Sequence, residues 1–233
     1  MGIPTSFAWP LAQLDVVPTV FWIGFDTDAF DPKCYVQASI MRSIHVKGAV
    51  QKRQAEFFYG RLCAQAALRA QNCDSVVVGA GRMREPVWPE GIVGSITHGG
   101  ALAAAVVLPS SVCHGIGIDI EQIATPEAQL ALQRMVVSAR EIAVLAPLAK
   151  RISLGILLTL VFSAKESFFK ATSSDVGGYF GFDAVEVTAI DPKRCEILGC
   201  VTRPLCAAWP AKKLVRINYM ILPQGQVATI FAW

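Results

Sequence analysis

The 233-residue sequence has few charged residues and lacks the patterns that mark several common protein classes. Only 17% of its residues are charged, and no run of lysine or arginine is long enough to indicate nucleic-acid binding. Seven cysteines occur without a Cys-x-x-Cys pair, which argues against a zinc site or a disulfide framework and favours buried free thiols. The apolar run 152–162 is too short for a bilayer, and the N-terminal residues do not form a secretory signal. We therefore expect a cytoplasmic protein without membrane or nucleic-acid partners.

Hydrophobic residues make up 53% of the chain, which is enough for a sizeable core. Apolar spacing predicts helices over 46–71 and 153–172, and Thr125-Pro126-Glu127 predicts the start of a shorter one. Residues 79–91 are rich in glycine and proline and indicate a loop. This order of helix then strands, twice, predicts an α+β fold of two similar halves, 1–113 and 114–233. Strands are predicted at 20–23, 92–108, 115–120, 185–190, 195–201, 214–221 and 227–231.

The segment 115–121, GIGIDIE, places two carboxylates on one face of an apolar strand. Successive strand side chains point to opposite faces, so Asp119 and Glu121 point the same way and the isoleucines point the other way. Neighbouring carboxylates repel one another, and burial penalises both charges. The segment therefore predicts either that a cation lies between the two carboxylates or that both face water.

A second acidic position lies in the segment 162–171, FSAKESFFKA. Glu166 and Lys170 are four residues apart and share one helical face, which on its own indicates a surface ion pair. Together with Asp119 and Glu121, Glu166 would complete a set of three oxygen ligands without histidine or cysteine. Such a set suits Mg²⁺, with Mn²⁺ as an alternative, next to substrate phosphates. Spacing alone does not show that this helix and the GIGIDIE strand meet.

The order of the motifs resembles that of the phosphopantetheinyl transferases, of the surfactin-synthetase-activating and enterobactin synthase component D type. The motifs are KRQAEFFYGR at 52–61, REPVWP at 84–89, GSITHGG at 94–100, GIGIDIE and FSAKESFFKA. The resemblance implies a monomer of two α+β halves related by a pseudo-two-fold axis. It also implies Mg²⁺-dependent transfer of 4'-phosphopantetheine from coenzyme A to a serine of an acyl or peptidyl carrier protein, with release of 3',5'-ADP. Fatty acid and siderophore carrier proteins are the implied partners.

The resemblance implies roles for individual residues as well. Asp119, Glu121 and Glu166 are the implied metal ligands, and Glu166 is also the candidate general base. Lys170 is the implied contact for the coenzyme A diphosphate and, with Asp119 and Glu166, belongs to the implied catalytic group. The implied coenzyme A contacts in the first half are Arg53, Arg84, Pro86, Thr97 and His98.

Simpler interpretations stay open for several of these residues. A lone histidine among glycines, such as His98, is more often a turn or core residue than a ligand. Arg53 and Arg61 on a helix are normally solvated charges. Trp88 and the pair Phe168-Phe169 more often belong to a core than to a substrate platform.

Two further questions concern partners and reaction class. The segment 122–150 either packs internally or offers an apolar surface, with Arg134 and Arg140, for the acidic helices of a carrier protein. The same three carboxylates also suit a Mg²⁺-dependent phosphoester hydrolase. A non-catalytic coenzyme A-binding protein is the remaining alternative.

Overall fold

The computed structural model of the protein describes residues 2–81 and 84–233, apart from the side chain of His45. Residues 82 and 83, which belong to the predicted loop 79–91, lie outside the described residues. The chain divides into two compact units, Met1–Ile116 together with Trp233, and Gly117–Ala232. Each unit combines helices with antiparallel strands, which confirms the predicted α+β class. The pseudo-two-fold relation between residues 1–113 and 114–233 stays a prediction.

The first unit contains a four-stranded antiparallel sheet and one long helix. Its elements are β1 (Thr5–Ala8), β2 (Thr19–Gly24), α1 (Cys34–Gln37), α2 (Ile44–Lys47), α3 (Gln51–Ala70), β3 (Gly79–Ala80), β4 (Pro86–Val87), β5 (Ile92–Gly99) and β6 (Leu102–Pro109). The sheet has the order β1-β2-β6-β5, and β3 pairs with β4 as a separate two-stranded ladder. Strand β6 is therefore central and paired on both sides.

Helix α3 packs on this sheet through aromatic and aliphatic side chains. Phe58 and Leu68 of the helix share one hydrophobic core with Ala103 and Ala105 of β6. The small alanine side chains allow the helix to lie close to the sheet. The sequence predicted one helix over 46–71, but α2 and α3 are separate because the backbone at Val50 is extended, with ψ of 154°.

A β-hairpin replaces the single strand region predicted at 92–108. Strands β5 and β6 pair along their whole length, with Ile92 opposite Pro109 and Gly99 opposite Leu102. The tight turn needs a residue that adopts positive φ, and Gly100 does so with φ of 58°. The Gly99-Gly100 pair was the sequence signal for this turn, and the prediction was wrong because it treated the apolar residues on both sides as one run.

The second unit contains a five-stranded sheet and the longest helix of the described residues. Its elements are β7 (Ile116–Gln122), α4 (Pro126–Met135), α5 (Ala139–Leu145), α6 (Leu154–Val176), β8 (Val185–Asp191), β9 (Glu196–Val201), β10 (Leu214–Leu222) and β11 (Gln226–Ala232). The sheet order is β7-β11-β10-β9-β8, in which β8 to β11 pair antiparallel in chain order, at the positions predicted for the last four strands. Helix α6 packs on this sheet, where Phe168 lies against Trp209 and Phe231.

Short polar signals fix the ends of the helices in this unit. The Thr125 side chain accepts a hydrogen bond from the Ala128 N–H, with Pro126 at the first helical position, as predicted. Ser153 caps α6 in the same way, and Gly177 ends it with a positive φ of 72°. Ser163 lies buried inside α6 and caps no helix.

Two findings bear on the class of the protein. Among the described residues, no helix combines the length and the apolar character needed to cross a membrane. All seven cysteines are free, and Cys63 and Cys113 are buried. The expectation of buried thiols is wrong for Cys195, which is exposed.

Candidate active site

Strand β7 and helix α6 approach each other so closely that only glycine fits at the crossing. A Cβ added to Gly117 would coincide with the backbone oxygen of Ser167 and lie 2.8 Å from the backbone nitrogen of Ala171. Asp119 lies two residues further along the strand and shares its face with Gly117, so it meets the same helix. Gly117 thus allows the carboxylate of Asp119 to reach helix α6, which carries the FSAKESFFKA motif.

The carboxylate of Asp119 is paired with the ammonium group of Lys170. Lys170 Nζ donates to Asp119 Oδ1 at 2.7 Å and to the carbonyl oxygen of Ile118 at 3.2 Å. The Asp119 residue is only 2% exposed, so its charge is largely removed from water. Of the two alternatives that the sequence left open, the structure therefore supports a cation beside the strand carboxylate.

Glu121 and Glu166 belong to the same group of charges. Burial raises the pKa of Glu121 to about 8, with Asp119 and Glu166 acting in the same direction and Lys170 opposing them. Burial also raises the pKa of Glu166, where Lys170 opposes the shift and Asp119 adds to it. The strand and the helix therefore do meet, and they bring three acidic side chains and one lysine within range of each other's charge.

The three acidic side chains do not form a compact cluster of potential metal ligands among the described residues. Across residues 2–81 and 84–233, no three His, Cys, Asp or Glu side chains are grouped closely enough to form a metal site. One oxygen of Asp119 is instead in contact with Lys170. The predicted roles of Asp119, Glu121 and Glu166 as metal ligands stay predictions.

A cavity of about 120 Å³ opens beside Glu166. Its walls are mostly aromatic, with Phe169, Tyr179, Phe180 and Phe182 around the carboxylate. A tilted ring contact joins Phe169 to Tyr179, and an edge-on contact joins it to Phe180. The cavity therefore offers a largely apolar surface next to the titratable side chain of Glu166. Phe168, in contrast, is fully buried, as expected for a core residue.

The sequence interpretation missed a buried ion pair next to Glu166. Lys165 Nζ lies 2.8 Å from Glu141 Oε1 and also donates to the carbonyl oxygen of Val136 at 2.8 Å. Glu141 accepts backbone N–H bonds from Ser138 and Val187 and has no exposed surface. The signal was a lysine on the apolar face of α6, because a buried charge needs a partner.

In the first unit, three polar side chains from α3 and β5 form a second group. Arg53 Nη1 lies 2.7 Å from His98 Nε2, and Glu56 Oε2 lies 3.5 Å from Arg53 Nη1. Glu56 Oε2 is also 3.7 Å from His98 Nδ1. The predicted pair Arg53 and His98 is therefore brought together, and Glu56 is a member that the sequence interpretation missed. Thr97, the neighbour of His98, is buried, and its side chain points to the opposite strand face.

The loop with Arg84 and Pro86 is held by two close contacts. Arg84 is exposed and has a positive φ of 69°, and Pro86 pairs with Ala80 in the β3–β4 ladder. Gly81 lies close to the flexible carboxylate end of Glu85, and its N–H donates to the Glu85 carbonyl oxygen at 2.9 Å. The roles of Arg84, Pro86 and Thr97 in coenzyme A binding stay predictions.

Arg61 binds the backbone at the start of the β3–β4 ladder and is not the solvated charge that the sequence indicated. Its guanidinium donates to the carbonyl oxygens of Val78 and Gly79 and lies over the ring of Phe57. Burial lowers the pKa of Arg61 to about 10. Trp88 packs partly buried against the core of this unit, as expected.

Comparison with known proteins relates both units to one family. Residues 42–108 match the family profile described as 4'-phosphopantetheinyl transferase N-terminal domain, and residues 115–228 match that of the 4'-phosphopantetheinyl transferase superfamily. Enterobactin synthase component D of Salmonella typhi is 34% identical over 174 residues, which cover 75% of this chain and 70% of that protein. The chain belongs to the 4'-phosphopantetheinyl transferase superfamily.

Other relatives of this phosphopantetheinyl transferase agree with that assignment. Enterobactin synthase component D of Escherichia coli (strain K12) is 38% identical over 146 residues, covering 61% of this chain and 68% of the relative. The 4'-phosphopantetheinyl transferase Svp of Streptomyces mobaraensis is 40% identical over 149 residues, covering 64% and 59%. The predicted family and the prediction of a transferase enzyme are confirmed.

Proposed function

We propose that this transferase moves 4'-phosphopantetheine from coenzyme A to a serine hydroxyl of an acyl or peptidyl carrier protein. The observation that carries the proposal is the contact between Lys170 and Asp119 beside Glu121 and Glu166. These residues lie within the segment that matches the superfamily profile. A cation among partly buried carboxylates suits the transfer of a charged phosphoryl group, because such a transfer depends on positioning and on charge neutralisation.

In the proposed reaction, the serine oxygen attacks the phosphorus atom that carries pantetheine. A bond forms between the serine oxygen and this phosphorus, the bond to the bridging oxygen of the diphosphate breaks, and 3',5'-ADP leaves with the electron pair. Glu166 accepts the hydroxyl proton, directly or through one water molecule. Lys170 offsets the negative charge that develops on the leaving oxygen.

The three carboxylates fit a divalent metal ion by their chemistry. They provide oxygen donors alone, which suit Mg²⁺ and also Mn²⁺. Burial raises the pKa of Glu121, and the negative charges of Asp119 and Glu166 add to this shift, which a bound cation would offset. We propose Asp119, Glu121 and Glu166 as the residues that hold Mg²⁺, whose chemistry there is to neutralise the diphosphate.

In the first unit we propose that Arg53 and His98 bind a phosphate group of coenzyme A. The Arg53 guanidinium has N–H donors to spare for an anion beyond its contact of 2.7 Å with the imidazole of His98, and both side chains are partly exposed. We propose that the exposed Arg84 and Pro86 contact the adenosine end of coenzyme A. The backbone of Thr97, beside His98, is proposed to contact coenzyme A as well. Glu85, next to Arg84, adds no positive charge to this loop.

The aromatic cavity beside Glu166 is proposed to receive the pantetheine arm. This arm is the group transferred, and its uncharged chain suits walls formed by Phe169, Tyr179 and Phe182. The cavity adjoins Glu166, the proposed general base.

Helix α4 is proposed as part of the surface that binds the carrier protein. None of its residues is buried, and Leu130 and Met135 expose apolar side chains. Arg134 and Arg140 are exposed and supply positive charge for the acidic helices expected of such partners. Val136, Val137 and Leu145 of the same segment are buried, so 122–150 combines internal packing with an exposed surface.

An intact-mass assay of an apo carrier protein with coenzyme A and Mg²⁺ tests the reaction class. Transfer adds one phosphopantetheine arm, a gain of about 340 Da, and Glu166→Gln is expected to slow it by several orders of magnitude. Product release from coenzyme A without a carrier protein indicates a phosphoester hydrolase. Binding without any product indicates a coenzyme A-binding protein, and either outcome overturns the proposal.

The proposal also covers the carrier proteins that the enzyme serves, its oligomeric state and its location. The names of the relatives favour peptidyl carrier proteins of siderophore biosynthesis as partners, with fatty acid carrier proteins also included. A monomeric state and a cytoplasmic location are part of the proposal as well. Assays that compare carrier proteins of both pathways at equal concentration rank these partners by kcat/KM.

A further inference from the structure

Helix α3 crosses strand β5 at a fixed point that aligns Glu56 with His98. A Cβ added to Gly60 would lie 2.7 Å from the Ile96 side chain, so helix and strand are in close contact there. His98 is two residues beyond Ile96 and shares its strand face. Glu56 and Arg53 precede Gly60 by four and seven residues, which places them on the same helical face. The crossing therefore directs both helix side chains toward the imidazole.

The contacts assign the two nitrogens of the His98 ring. A guanidinium only donates hydrogen bonds, so the contact of 2.7 Å from Arg53 Nη1 makes His98 Nε2 an acceptor. The ring proton is then on Nδ1, which lies 3.7 Å from Glu56 Oε2. Glu56 is the least exposed of the three, with 13% of its side chain accessible against 33% for His98 and 43% for Arg53. It is thus the inner member of the group.

We propose that Glu56 is a positioning residue for phosphate recognition and acts through His98 and Arg53. Its carboxylate lies 3.7 Å from Nδ1 of His98, where its negative charge favours a proton on Nδ1 and hence this orientation of the ring. The same carboxylate holds the Arg53 guanidinium on the side of the helix that faces the imidazole. This inference rests on the proposed function, in which Arg53 and His98 bind a phosphate of coenzyme A.

The charge of Glu56 opposes this role, because a carboxylate repels a phosphate. Two features favour positioning over repulsion. Glu56 lies behind two cationic or polar groups that are more exposed than it is. The positive charge of Arg53 also offsets the negative charge of the Glu56 carboxylate. Removal of the carboxylate is therefore expected to weaken phosphate binding.

Steady-state kinetics with coenzyme A and with 3'-dephospho-coenzyme A test the proposal. The readout is the KM for the dephosphorylated substrate divided by the KM for coenzyme A. In Glu56→Ala this ratio is expected to fall about tenfold from the wild-type value, with a smaller fall in Glu56→Gln, which keeps an acceptor. Asp74→Asn, at an exposed position of the same unit, serves as the control for a lost charge.

The effect of Glu56→Ala on the KM ratio in a second variant distinguishes positioning from a general structural role. In the double variant Arg53→Ala/His98→Ala, the further change Glu56→Ala is expected to alter the ratio less than twofold, because the carboxylate acts through these two side chains. An unchanged ratio in Glu56→Ala, or a lower KM for coenzyme A, overturns the role of Glu56. A wild-type enzyme with equal KM values for both substrates overturns instead the proposed phosphate site of Arg53 and His98.

Discussion

Lys170 Nζ lies 2.7 Å from Asp119 Oδ1 and thereby joins two motifs that are 51 residues apart in sequence. The aspartate is nearly inaccessible, and about a quarter of the lysine side chain is exposed. Lys170 therefore neutralises a buried charge on one side and faces solvent on the other. Such a residue suits both the folded state and the binding of an anionic substrate.

Lys170 is expected to contribute mainly to the rate of transfer. Lys170→Ala removes a positive charge from the proposed diphosphate site and should lower kcat/KM for coenzyme A by about 100-fold. Lys170→Arg keeps the charge and should retain more activity than the alanine variant. Single-turnover transfer to an apo carrier protein measures both, and an alanine variant within threefold of the wild-type rate contradicts the role.

Gly117 is expected to tolerate no side chain. In Gly117→Ala the new Cβ meets the backbone of Ser167, so α6 must move away from β7 at a cost of about 1–3 kcal/mol of stability. The same displacement should separate Lys170 from Asp119 and reduce activity. Urea denaturation and the transfer assay measure both effects. Gly178→Ala is the matched control, because a Cβ at Gly178 meets no atom within 4 Å.

Patterns within a single element were predictable from the sequence, and contacts between elements were not. The caps at Thr125 and the shared face of Asp119 and Glu121 follow from local rules. The crossing at Gly117 does not, because it depends on which helix covers the strand. The burial of Arg61 likewise depends on carbonyl oxygens 17 and 18 residues away, which no local pattern reveals.

The residues of the candidate site also fall into those that the sequence predicted and those that it did not. Asp119, Glu166, Lys170, Arg53 and His98 were found through motifs, and the structure supplied their contacts. Glu56, Glu141 and Lys165 were missed because each partner is remote in sequence or set by helix packing. Why these charged residues are buried becomes clear only once the element that carries their partner is known.

The ion pair between Lys165 and Glu141 is expected to be essential for stability. Lys165→Met leaves a fully buried carboxylate without its cation, and the expected loss is about 3–5 kcal/mol. Glu141→Gln should cost a similar amount, and the double variant less than the sum of the two. Arg203→Ala, which removes a partner of the exposed Asp183, should cost about 0–1 kcal/mol. A loss below 1 kcal/mol in Lys165→Met contradicts this account.

Charge reversal on the α4–α5 segment tests the proposed carrier surface. Arg134→Glu combined with Arg140→Glu should raise the KM for an acidic carrier protein about tenfold, because it replaces attraction by repulsion. The KM for coenzyme A should not change. Arg194→Glu, at an exposed position in the turn after β8, controls for net charge. An unchanged KM for the carrier protein removes this surface from the proposal.

Titration of the enzyme with Mn²⁺, followed by electron paramagnetic resonance in the presence of coenzyme A, tests the central claim most directly. The account predicts one bound Mn²⁺ per chain in the wild-type protein. It also predicts that Asp119→Asn, Glu121→Gln and Glu166→Gln each weaken binding at least tenfold, about 1.4 kcal/mol. Mn²⁺ binding that is equally tight in the wild type and in the triple variant would contradict the claim that these three carboxylates hold the metal.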